Sequence, residues 1–489
     1  MNKKPFYLTT TLPYVNANLH MGHALEFVRA DAIVRYKKLN NFDVYFNTGT
    51  DEHGMKIYEK AQSQNLTAQE FVDQSFKNFR ESVNIFGLVD DINFIRTTDK
   101  KHEKIAQSFW MKCKENGYIY KKNYQTRYCV GCESEKSDSE LVNGECPDHP
   151  GRALEVIEEE NYFFKYSEFT EKLTDFYNSN PNFVIPDFRF NEIKAFVSRG
   201  LQDFSISRLA TKMPWGIPVP DDSEHVMYVW FDALTNYIST LAEDGIETLD
   251  QLVSNEKFQK YWVNGNPTQY CGKDNLRFQS AMWQSMLMAA GVPNSKQIVI
   301  NGFITAEGGL KMSKTLGNVV DPQDIVAQYG TDALRYFLLR EVSSFEDSPF
   351  TIERFKDSYN SGLANGLGNL TSRIMTLSER YIKDPVEILN KDWVAPDYIE
   401  NMEKFDIQRA SQIVWHYIAE SDKKIQQDEP FKVVKIDEAR GVEIIKFLVS
   451  ELWKIANMLK PFLPETSQKI KDIILVNKKP EAPLFLRKD

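Results

Sequence analysis

Residues 6–39, FYLTTTLPYVNANLHMGHALEFVRADAIVRYKKL, decide the fold that we predict for this chain. The first seven residues of this stretch are apolar or β-forming, which indicates a buried strand. Apolar residues then recur at helical spacing, at Ala24, Phe27, Val28, Ala32 and Tyr36. The tetrad His20-Met21-Gly22-His23 therefore lies at a strand-to-helix turn, where the unpaired N–H groups of a helix N-terminus bind phosphate readily.

A second motif lies far downstream, at Lys311-Met312-Ser313-Lys314-Thr315. Gly308 and Gly309 precede it, which is typical of a mobile loop that carries ammonium groups to a leaving pyrophosphate. Either motif alone is compatible with surface histidines or a solvated basic turn. Together and in this order, they predict that two clusters hold one triphosphate from opposite sides, and that ATP activates a carboxylate. Gly22 lacks a Cβ and would let adenine approach the backbone.

Further stretches follow in a recognisable order, namely residues 11–14 (TLPY), 50–54 (TDEHG), 228–233 (YVWFDA), 272–274 (GKD) and 311–322 (KMSKTLGNVVDP). In these blocks the chain resembles the class I aminoacyl-tRNA synthetases, and among them the methionyl-tRNA synthetase family, nearly from end to end. The resemblance implies ATP-dependent ligation of L-methionine to tRNA(Met). The reaction would pass through methionyl-adenylate, with Mg²⁺ as cofactor, and would release pyrophosphate and AMP.

The resemblance also implies a methionine pocket. In it, Asp51 pairs with the ammonium group, and the thioether slot is formed by Leu12, Trp230 and Ala233, with Tyr14 and Tyr237 closing over it. Two positions depart from the family pattern, because Asn275 stands where an aliphatic residue is expected and Gln279 where a histidine is expected. Methionine recognition requires a polar contact near its sulfur, a weak acceptor, and Gln279 is kept among the residues predicted to bind methionine.

For ATP, the resemblance implies contacts from His20, Gly22, His23, Gly272, Asp274, Lys311, Met312, Ser313 and Lys314. Catalysis would be mostly positioning and charge stabilisation of the phosphoryl oxygens by His20, His23, Lys311, Lys314 and Mg²⁺. Thr315 replaces the family's usual final serine, and both residues carry a hydroxyl.

Two short hooks predict a metal site, since Cys129 and Cys132 form Cys-x-x-Cys and Cys146 and His149 form Cys-x-x-His. Tetrahedral Zn²⁺ takes thiolates and imidazole nitrogen in such paired hooks. Four protein ligands leave no open position, so the zinc would be structural, one ion per chain. A redox Cys-x-x-Cys would not explain the second hook. The family often uses four cysteines here, so His149 is a departure. Cys113 and Cys271 are expected to be buried small hydrophobes.

The order of predicted elements indicates an α/β fold with a Rossmann-like, doubly wound parallel sheet, split by a zinc-knuckle insertion and followed by an α-helical bundle. Residues 160–178, within the insertion, are predicted to be helical, and residues 226–230, directly after it, to be a strand. The predicted division is residues 1–112 and 226–305 for the two halves of the catalytic domain, 113–225 for the connective insertion, 306–358 for the loop and stem-contact region, and 359–489 for the helical anticodon-binding domain.

In the resembling family the helical bundle reads the anticodon. Asn369 and Arg373 match the family's helix positions and lie four residues apart, on one face. Phe431 stands where a tryptophan usually stacks on a base. The alternative is that Arg373 is a surface salt-bridge partner and Phe431 a core ring.

Composition sets further limits. The 489 residues carry a formal net charge of −10, which argues against indiscriminate nucleic-acid binding, so any tRNA contact should be local. The sequence has no apolar run of membrane-spanning length and no leader pattern, which predicts a cytoplasmic enzyme. The chain ends soon after Leu486, without the dimerising module of some relatives, which predicts a monomer.

Three other functions share part of this motif pattern. A sibling class I synthetase for leucine, isoleucine or valine would carry a much larger editing insertion, and a cysteine enzyme is the remaining sibling. A nucleotidylyltransferase could share the His-x-Gly-His turn, but the zinc insertion and long helical C-terminus argue against it. A non-catalytic RNA-binding relative is disfavoured because both phosphate motifs are intact.

Overall fold

A computed structural model of the chain describes residues 3–16, 19–132, 134–136, 141–309 and 320–488. The predicted strand and helix at the N-terminus are both present, and the first half of the α/β domain alternates strands with helices. Its elements are β1 (Lys4–Thr10), α1 (Met21–Leu39), β2 (Phe42–Thr50), α2 (Met55–Ser63), α3 (Ala68–Ile85), β3 (Asn93–Arg96) and α4 (Lys100–Glu115).

The inserted segment is mostly β. Its elements are β4 (Ile119–Cys129), β5 (Ser134–Lys136), β6 (Glu155–Phe164), α5 (Thr170–Ser179), β7 (Val184–Ile185), α6 (Asp187–Ser198), β8 (Phe204–Ser205), β9 (Ser207–Leu209), β10 (Pro218–Val219) and β11 (Asp222–Met227). The second half of the α/β domain follows, with α7 (Val229–Ala233), α8 (Asn236–Ser239), α9 (Leu249–Ser254), α10 (Glu256–Phe258), β12 (Thr268–Gly272), α11 (Trp283–Ala290), β13 (Gln297–Asn301) and β14 (Ile304–Thr305).

The described part of the remaining chain, residues 320–488, is mostly helical and contains one short strand. It contains α12 (Pro322–Tyr329), α13 (Thr331–Tyr336), β15 (Ser348–Pro349), α14 (Ile352–Ser358), α15 (Asn369–Tyr381), α16 (Pro396–Glu403), α17 (Ile407–Asp428), α18 (Pro430–Ile436), α19 (Glu438–Leu459) and α20 (Pro464–Leu475). The predicted helical bundle is therefore confirmed. None of the helices in the part of the chain that the structure describes has the length and apolar character needed to cross a bilayer.

A six-stranded parallel sheet with the order β3-β2-β1-β12-β13-β7 forms the centre of the molecule. From β1 the chain first builds outward to β2 and β3, and later returns to place β12 on the other side of β1. The strand order thus reverses between β1 and β12, and a crevice opens beyond the carboxyl ends of these two strands. All five residues of β12 are buried, as expected for a sheet covered on both faces.

Two predictions of secondary structure, one in the insertion and one directly after it, are wrong in detail. Residues 155–164, predicted in part as helix, form β6, which pairs with β4 over ten residues, and the helix α5 begins only at Thr170. Aromatic residues at helical spacing also fit a pleated, half-buried strand, and the long ladder with β4 decides between the two. The strand predicted for residues 226–230 ends at Met227, so Trp230 lies in the short helix α7.

The insertion also returns to the central sheet. Its strand β7 pairs in parallel with β13, with Val184 opposite Ile298. The other strands of the segment form a four-stranded antiparallel sheet, β5-β4-β6-β8, and a three-stranded one, β10-β11-β9. The insertion is therefore attached to the edge of the catalytic sheet by its own strand as well as by the chain connections.

One apolar cluster runs continuously from α1 through α20. A buried cation reinforces this junction, because the Arg335 guanidinium, which is fully buried, donates to Asp31 Oδ2 of α1 at 2.7 Å. The same guanidinium donates to the carbonyl oxygens of Phe462 at 2.8 Å, Pro461 at 2.9 Å and Phe86 at 3.1 Å. Arg335 thus ties the bundle to the helix that carries the His20 tetrad.

Replacing this cation should destabilise the whole chain. We expect Arg335→Met to lower the free energy of unfolding by about 3 kcal/mol or more, because it removes the buried one of the two cations that pair with Asp31 and leaves carbonyl groups unpaired. Urea unfolding followed by circular dichroism measures the change. Lys404→Met is the control, since Lys404 and Glu400 form an exposed pair and its loss should cost under about 0.5 kcal/mol. Equal unfolding curves for the two variants would contradict the role of Arg335.

Candidate active site

A cavity of about 350 Å³ lies in the crevice between the carboxyl ends of β1 and β12. This volume lies within the range of small-molecule pockets. Its lining brings together residues that are far apart in the chain. Among them are all the residues predicted for methionine, Leu12, Tyr14, Asp51, Trp230, Ala233, Tyr237 and Gln279, and five of those predicted for ATP, His20, Gly22, His23, Gly272 and Asp274.

The tetrad forms the start of α1. His20 is the residue that caps the helix, and its Nδ1 accepts a hydrogen bond from the Gly22 N–H at 3.1 Å. The His20 N–H donates to His23 Nδ1 at 3.3 Å, and the two rings stack with their centroids 3.8 Å apart. A Cβ on Gly22 would lie 3.0 Å from the His20 ring, which explains the glycine. Burial and the neighbouring His20 hold the pKa of His23 well below its usual value. His23 is therefore a neutral hydrogen-bonding group at neutral pH.

The opposite end of the cavity combines a carboxylate with aromatic walls. Asp51 follows β2 directly, and its backbone is held against the first loop, because its N–H donates to Pro13 O at 3.0 Å and its carbonyl accepts from Val15 N–H at 3.2 Å. Trp230 stacks on Phe278 with the ring planes 8° apart and the centroids 3.8 Å apart. Phe278 was not among the predicted site residues, although its position next to Gln279 in the sequence pointed to the same pocket.

A polar pair lies at the bottom of the slot. Gln279 and Tyr237 are both buried, and Gln279 Nε2 donates to the Tyr237 hydroxyl at 2.6 Å. Burial raises the pKa of Tyr237 well above its usual value, so the hydroxyl keeps its proton. Since that hydroxyl accepts from Gln279, its own proton is available to a ligand in the slot.

Glu26 is a second residue that the sequence analysis missed. It lies on α1, three residues after His23, and lines the cavity. Its Oε1 accepts hydrogen bonds from the Thr11 N–H at 2.7 Å and the Thr11 hydroxyl at 2.5 Å. Burial raises the pKa of Glu26 to about 7, and the Thr11 bonds only partly offset that effect. An acidic residue among the apolar positions of α1 was the signal available in the sequence.

The four predicted metal ligands form one cluster. The ligand atoms of Cys129, Cys132, Cys146 and His149 all lie within 4.8 Å of one another. Cys132 Sγ is 3.4 Å from Cys146 Sγ and 3.3 Å from His149 Nδ1, and Cys129 Sγ is 3.8 Å from His149 Nδ1. A tetrahedral zinc centre with ordinary bond lengths would separate its ligands by about 3.5–3.8 Å. The donor set and its spacing therefore fit such a metal.

The cluster lies beside the cavity. Cys132 and Lys56 both line it, and Lys56 Nζ donates to the Gly131 carbonyl at 2.8 Å. A Cβ on Gly131 would come within 2.5 Å of the His149 ring, so the hook has room only for glycine there. Cys113 and Cys271 are fully buried free thiols, as predicted.

The other predicted site residues form two groups, the second motif and the anticodon positions. Lys311, Met312, Ser313 and Lys314 fall outside the described residues. Asn369 is exposed on α15, and Arg373 on the same helix pairs with Asp422 of α17. Phe431, the second residue of α18, has 40% of its surface exposed, so it is not a core ring.

Comparisons with known proteins agree on one family. A family model described as tRNA synthetases class I (M) matches residues 6–375. The methionine--tRNA ligase of Caldanaerobacter subterraneus subsp. tengcongensis is 40% identical over 482 residues, which cover 96% of this chain and 73% of the relative. That of Brucella suis biovar 1 is 36% identical and covers 97% of this chain and 93% of the relative. The Mycobacterium tuberculosis methionyl-tRNA synthetase in complex with methionyl-adenylate has a TM-score of 0.87 at 32% identity, covering 96% of this chain and 94% of that chain.

The raised pKa of Glu26 makes stability depend on pH. Between the usual value of 4.5 and about 7, the folded chain holds the Glu26 proton more tightly than the unfolded chain does, so stability falls as pH rises through this window. Glu26→Gln removes this dependence. As pH rises through this window, the free energy of unfolding of Glu26→Gln should increase relative to that of the wild type by up to roughly 1.4 kcal/mol per pH unit. Urea unfolding at several pH values measures it.

Glu59→Gln is the control, because Glu59 is an exposed carboxyl on α2. It should follow the wild type at every pH. A Glu26→Gln curve parallel to the wild type would show that Glu26 titrates like an exposed acid.

Proposed function

The chain belongs to the class I tRNA synthetase family for methionine, and on that premise we propose that it ligates L-methionine to tRNA(Met) with ATP, through methionyl-adenylate. The observation that carries the proposal is the single cavity at the switch point of the sheet. It gathers an anion, an apolar aromatic slot and a helix N-terminus within one volume of about 350 Å³. An amino acid and a nucleotide can therefore meet there with the carboxylate facing the phosphates.

The first substrate is methionine. Asp51 pairs with its ammonium group, and the unbranched thioether lies between Leu12, Ala233 and the Trp230 ring. The Tyr237 hydroxyl, which accepts from Gln279, directs its proton toward the sulfur, a weak acceptor. The amide of Gln279 supplies the donor that an imidazole supplies elsewhere in the family.

The second substrate is ATP. Its phosphates bind at the start of α1, where the backbone N–H groups of the first helical turn and the imidazoles of His20 and His23 donate hydrogen bonds. Gly272 and Asp274, at the end of β12, contact the nucleoside. Lys311 and Lys314 bring positive charge to the leaving pyrophosphate, with Met312 and Ser313 in the same motif completing the nucleotide contacts. Mg²⁺, when bound, neutralises phosphate charge.

The chemistry is then mostly positioning. The methionine carboxylate attacks the α-phosphorus, pyrophosphate leaves, and the charge that develops on the phosphoryl oxygens is stabilised by fixed donors in a site that excludes water. The terminal adenosine hydroxyl of the tRNA then attacks the acyl carbonyl of the adenylate. Aminoacyl-tRNA and AMP result.

The tRNA needs a second contact, away from the cavity. Asn369, Arg373 and Phe431 supply it on the helical bundle. The exposed amide and ring of Asn369 and Phe431 and the half-buried guanidinium of Arg373 suit the edges and faces of unpaired anticodon bases. Arg373 exchanges its pairing with Asp422 for a base when the tRNA binds. The domain division by residue number stated above, a monomeric state and a cytoplasmic location belong to the same proposal.

Pyrophosphate exchange tests the proposed function. Without tRNA, the purified chain should exchange labelled pyrophosphate into ATP with methionine and with no other standard amino acid. Exchange with leucine, isoleucine, valine or cysteine instead would assign a sibling activity, and absence of exchange would leave a binding protein. Lys314→Ala should slow adenylate formation far more than it weakens methionine binding, whereas Lys296→Ala, an exposed lysine outside the cavity lining, should leave both unchanged.

Cys129, Cys132, Cys146 and His149 hold one structural Zn²⁺ in this proposal. Elemental analysis of the purified chain should return about one zinc per chain. Cys132→Ser should lose the metal, and the inserted segment should then become sensitive to proteolysis. Cys113→Ala is the matched control, because Cys113 is buried at a distance in sequence from both hooks and should keep the zinc. A folded, active preparation without metal would remove zinc from the proposal.

A further inference from the structure

A chain of buried polar groups lies directly behind the cavity. Asp232 Oδ2 is 2.7 Å from His53 Nδ1, and Asp232 Oδ1 is 2.7 Å from His102 Nε2. The other ring nitrogen of His102, Nδ1, is 2.8 Å from the Ser239 hydroxyl. All four side chains are buried, and the carboxylate is fully enclosed. The function proposed above assigns no role to His53, Asp232, His102 or Ser239.

The network joins the two parts of the methionine pocket. His53 lies two residues after Asp51, in the loop that follows β2. Asp232 lies in α7 between Trp230 and Ala233, which line the slot. The bond between His53 and Asp232 therefore connects the carboxylate that takes the ammonium group with the walls that take the side chain.

Other hydrogen bonds also hold the loop that follows β2, and they join it to other parts of the structure. Glu52 accepts from Arg96 Nε at 2.9 Å, which ties the loop to the end of β3. Its carbonyl accepts from Trp215 Nε1 at 2.6 Å, which ties it to the inserted segment. The His53 side chain, in contrast, reaches α7 through Asp232.

The helix α7 depends on such contacts for its position. It has five residues, and no side chain caps its start. Helices this short are unstable by themselves, so tertiary contacts place them. His102 comes from the middle of the catalytic domain on α4, a long helix packed in the core, and holds the second carboxylate oxygen in place.

We propose that Asp232, held by His53 and His102, is a positioning residue for methionine that sets the distance between Asp51 and the slot formed by Trp230 and Ala233. This inference rests on the proposed function. It also explains why a carboxylate is buried here with two imidazoles. Burying a carboxylate costs desolvation free energy, and an apolar side chain could pack in the same place without that cost. Although burial raises the pKa of the Asp232 carboxyl, the two rings outweigh it and hold that pKa below its usual range.

The test measures methionine and ATP separately in pyrophosphate exchange with the full chain. Asp232→Asn keeps the shape of the side chain and removes its charge. We expect the KM for methionine to rise about tenfold, because a buried bond to a charged group is lost, while the KM for ATP and kcat change less than about twofold. Asp222→Asn is the matched control. Asp222 bonds His225 at 3.1 Å, but in the inserted segment and outside the cavity lining.

A second pair of variants keeps the test decisive if Asp232→Asn fails to fold. His53→Asn retains an N–H donor near the place of Nδ1, whereas His53→Leu retains only the volume. The proposal expects a methionine KM near the wild-type value for His53→Asn and a raised value for His53→Leu, with the KM for ATP unchanged in both variants.

Two results would overturn the proposal. One is an unchanged methionine KM in both Asp232→Asn and His53→Leu. The other is a rise in the KM values for methionine and ATP together, in step with a lower melting temperature, which would show a purely structural role. Failure of the proposed function is distinguishable, since the wild type would then show no methionine-dependent exchange at all.

Discussion

The parallel pairing of β1 with β12 is the contact on which the rest of the molecule depends. Leu8 of β1 lies opposite Thr268 of β12, about half the chain away in sequence. Because both strands are parallel, their carboxyl ends open on the same side, and the loops after them face each other. One loop brings the start of α1 and the other brings Gly272 and Asp274 to the same cavity. Without this pairing the two sets of cavity-lining residues would belong to separate surfaces.

Two carboxyl groups near that crevice are buried. Glu26 and Asp232 are both enclosed, yet their surroundings shift their pKa values in opposite directions. Glu26 meets only hydroxyl and backbone donors with another carboxylate near it, so burial dominates. Asp232 lies between two imidazoles, so the charged form is favoured. Equal burial therefore produces a carboxyl that can hold a proton near neutral pH and another that remains charged.

The inserted segment is integrated into the enzyme by several contacts. Its strand β7 extends the catalytic sheet, and the Gly131 carbonyl accepts from Lys56 at the rim of the cavity. At the other end of the molecule, Arg335 fills the junction between the bundle and α1 with hydrogen bonds to both. The inserted segment and the helical bundle therefore both contact elements that carry residues of the cavity.

The sequence by itself determined the features that depend on neighbouring residues. The strand-to-helix turn at His20 and the helical bundle follow from local hydrophobic spacing. The two metal hooks follow from the local spacing of their ligands. Family resemblance named the residues of the cavity, including Asp51 and Trp230, but not the geometry that unites them.

Only the tertiary structure decided what depends on distant partners. Residues 155–164 became a strand because β4 offered a ten-residue ladder, and Val184–Ile185 joined the central sheet because β13 offered an edge. Glu26, Phe278 and Asp232 took their places in and behind the site through partners such as Thr11, Trp230 and His53, which lie between 15 and 179 positions away. Spacing along the chain carries no record of such pairings, since burial and hydrogen-bond partners arise only when the separate elements pack.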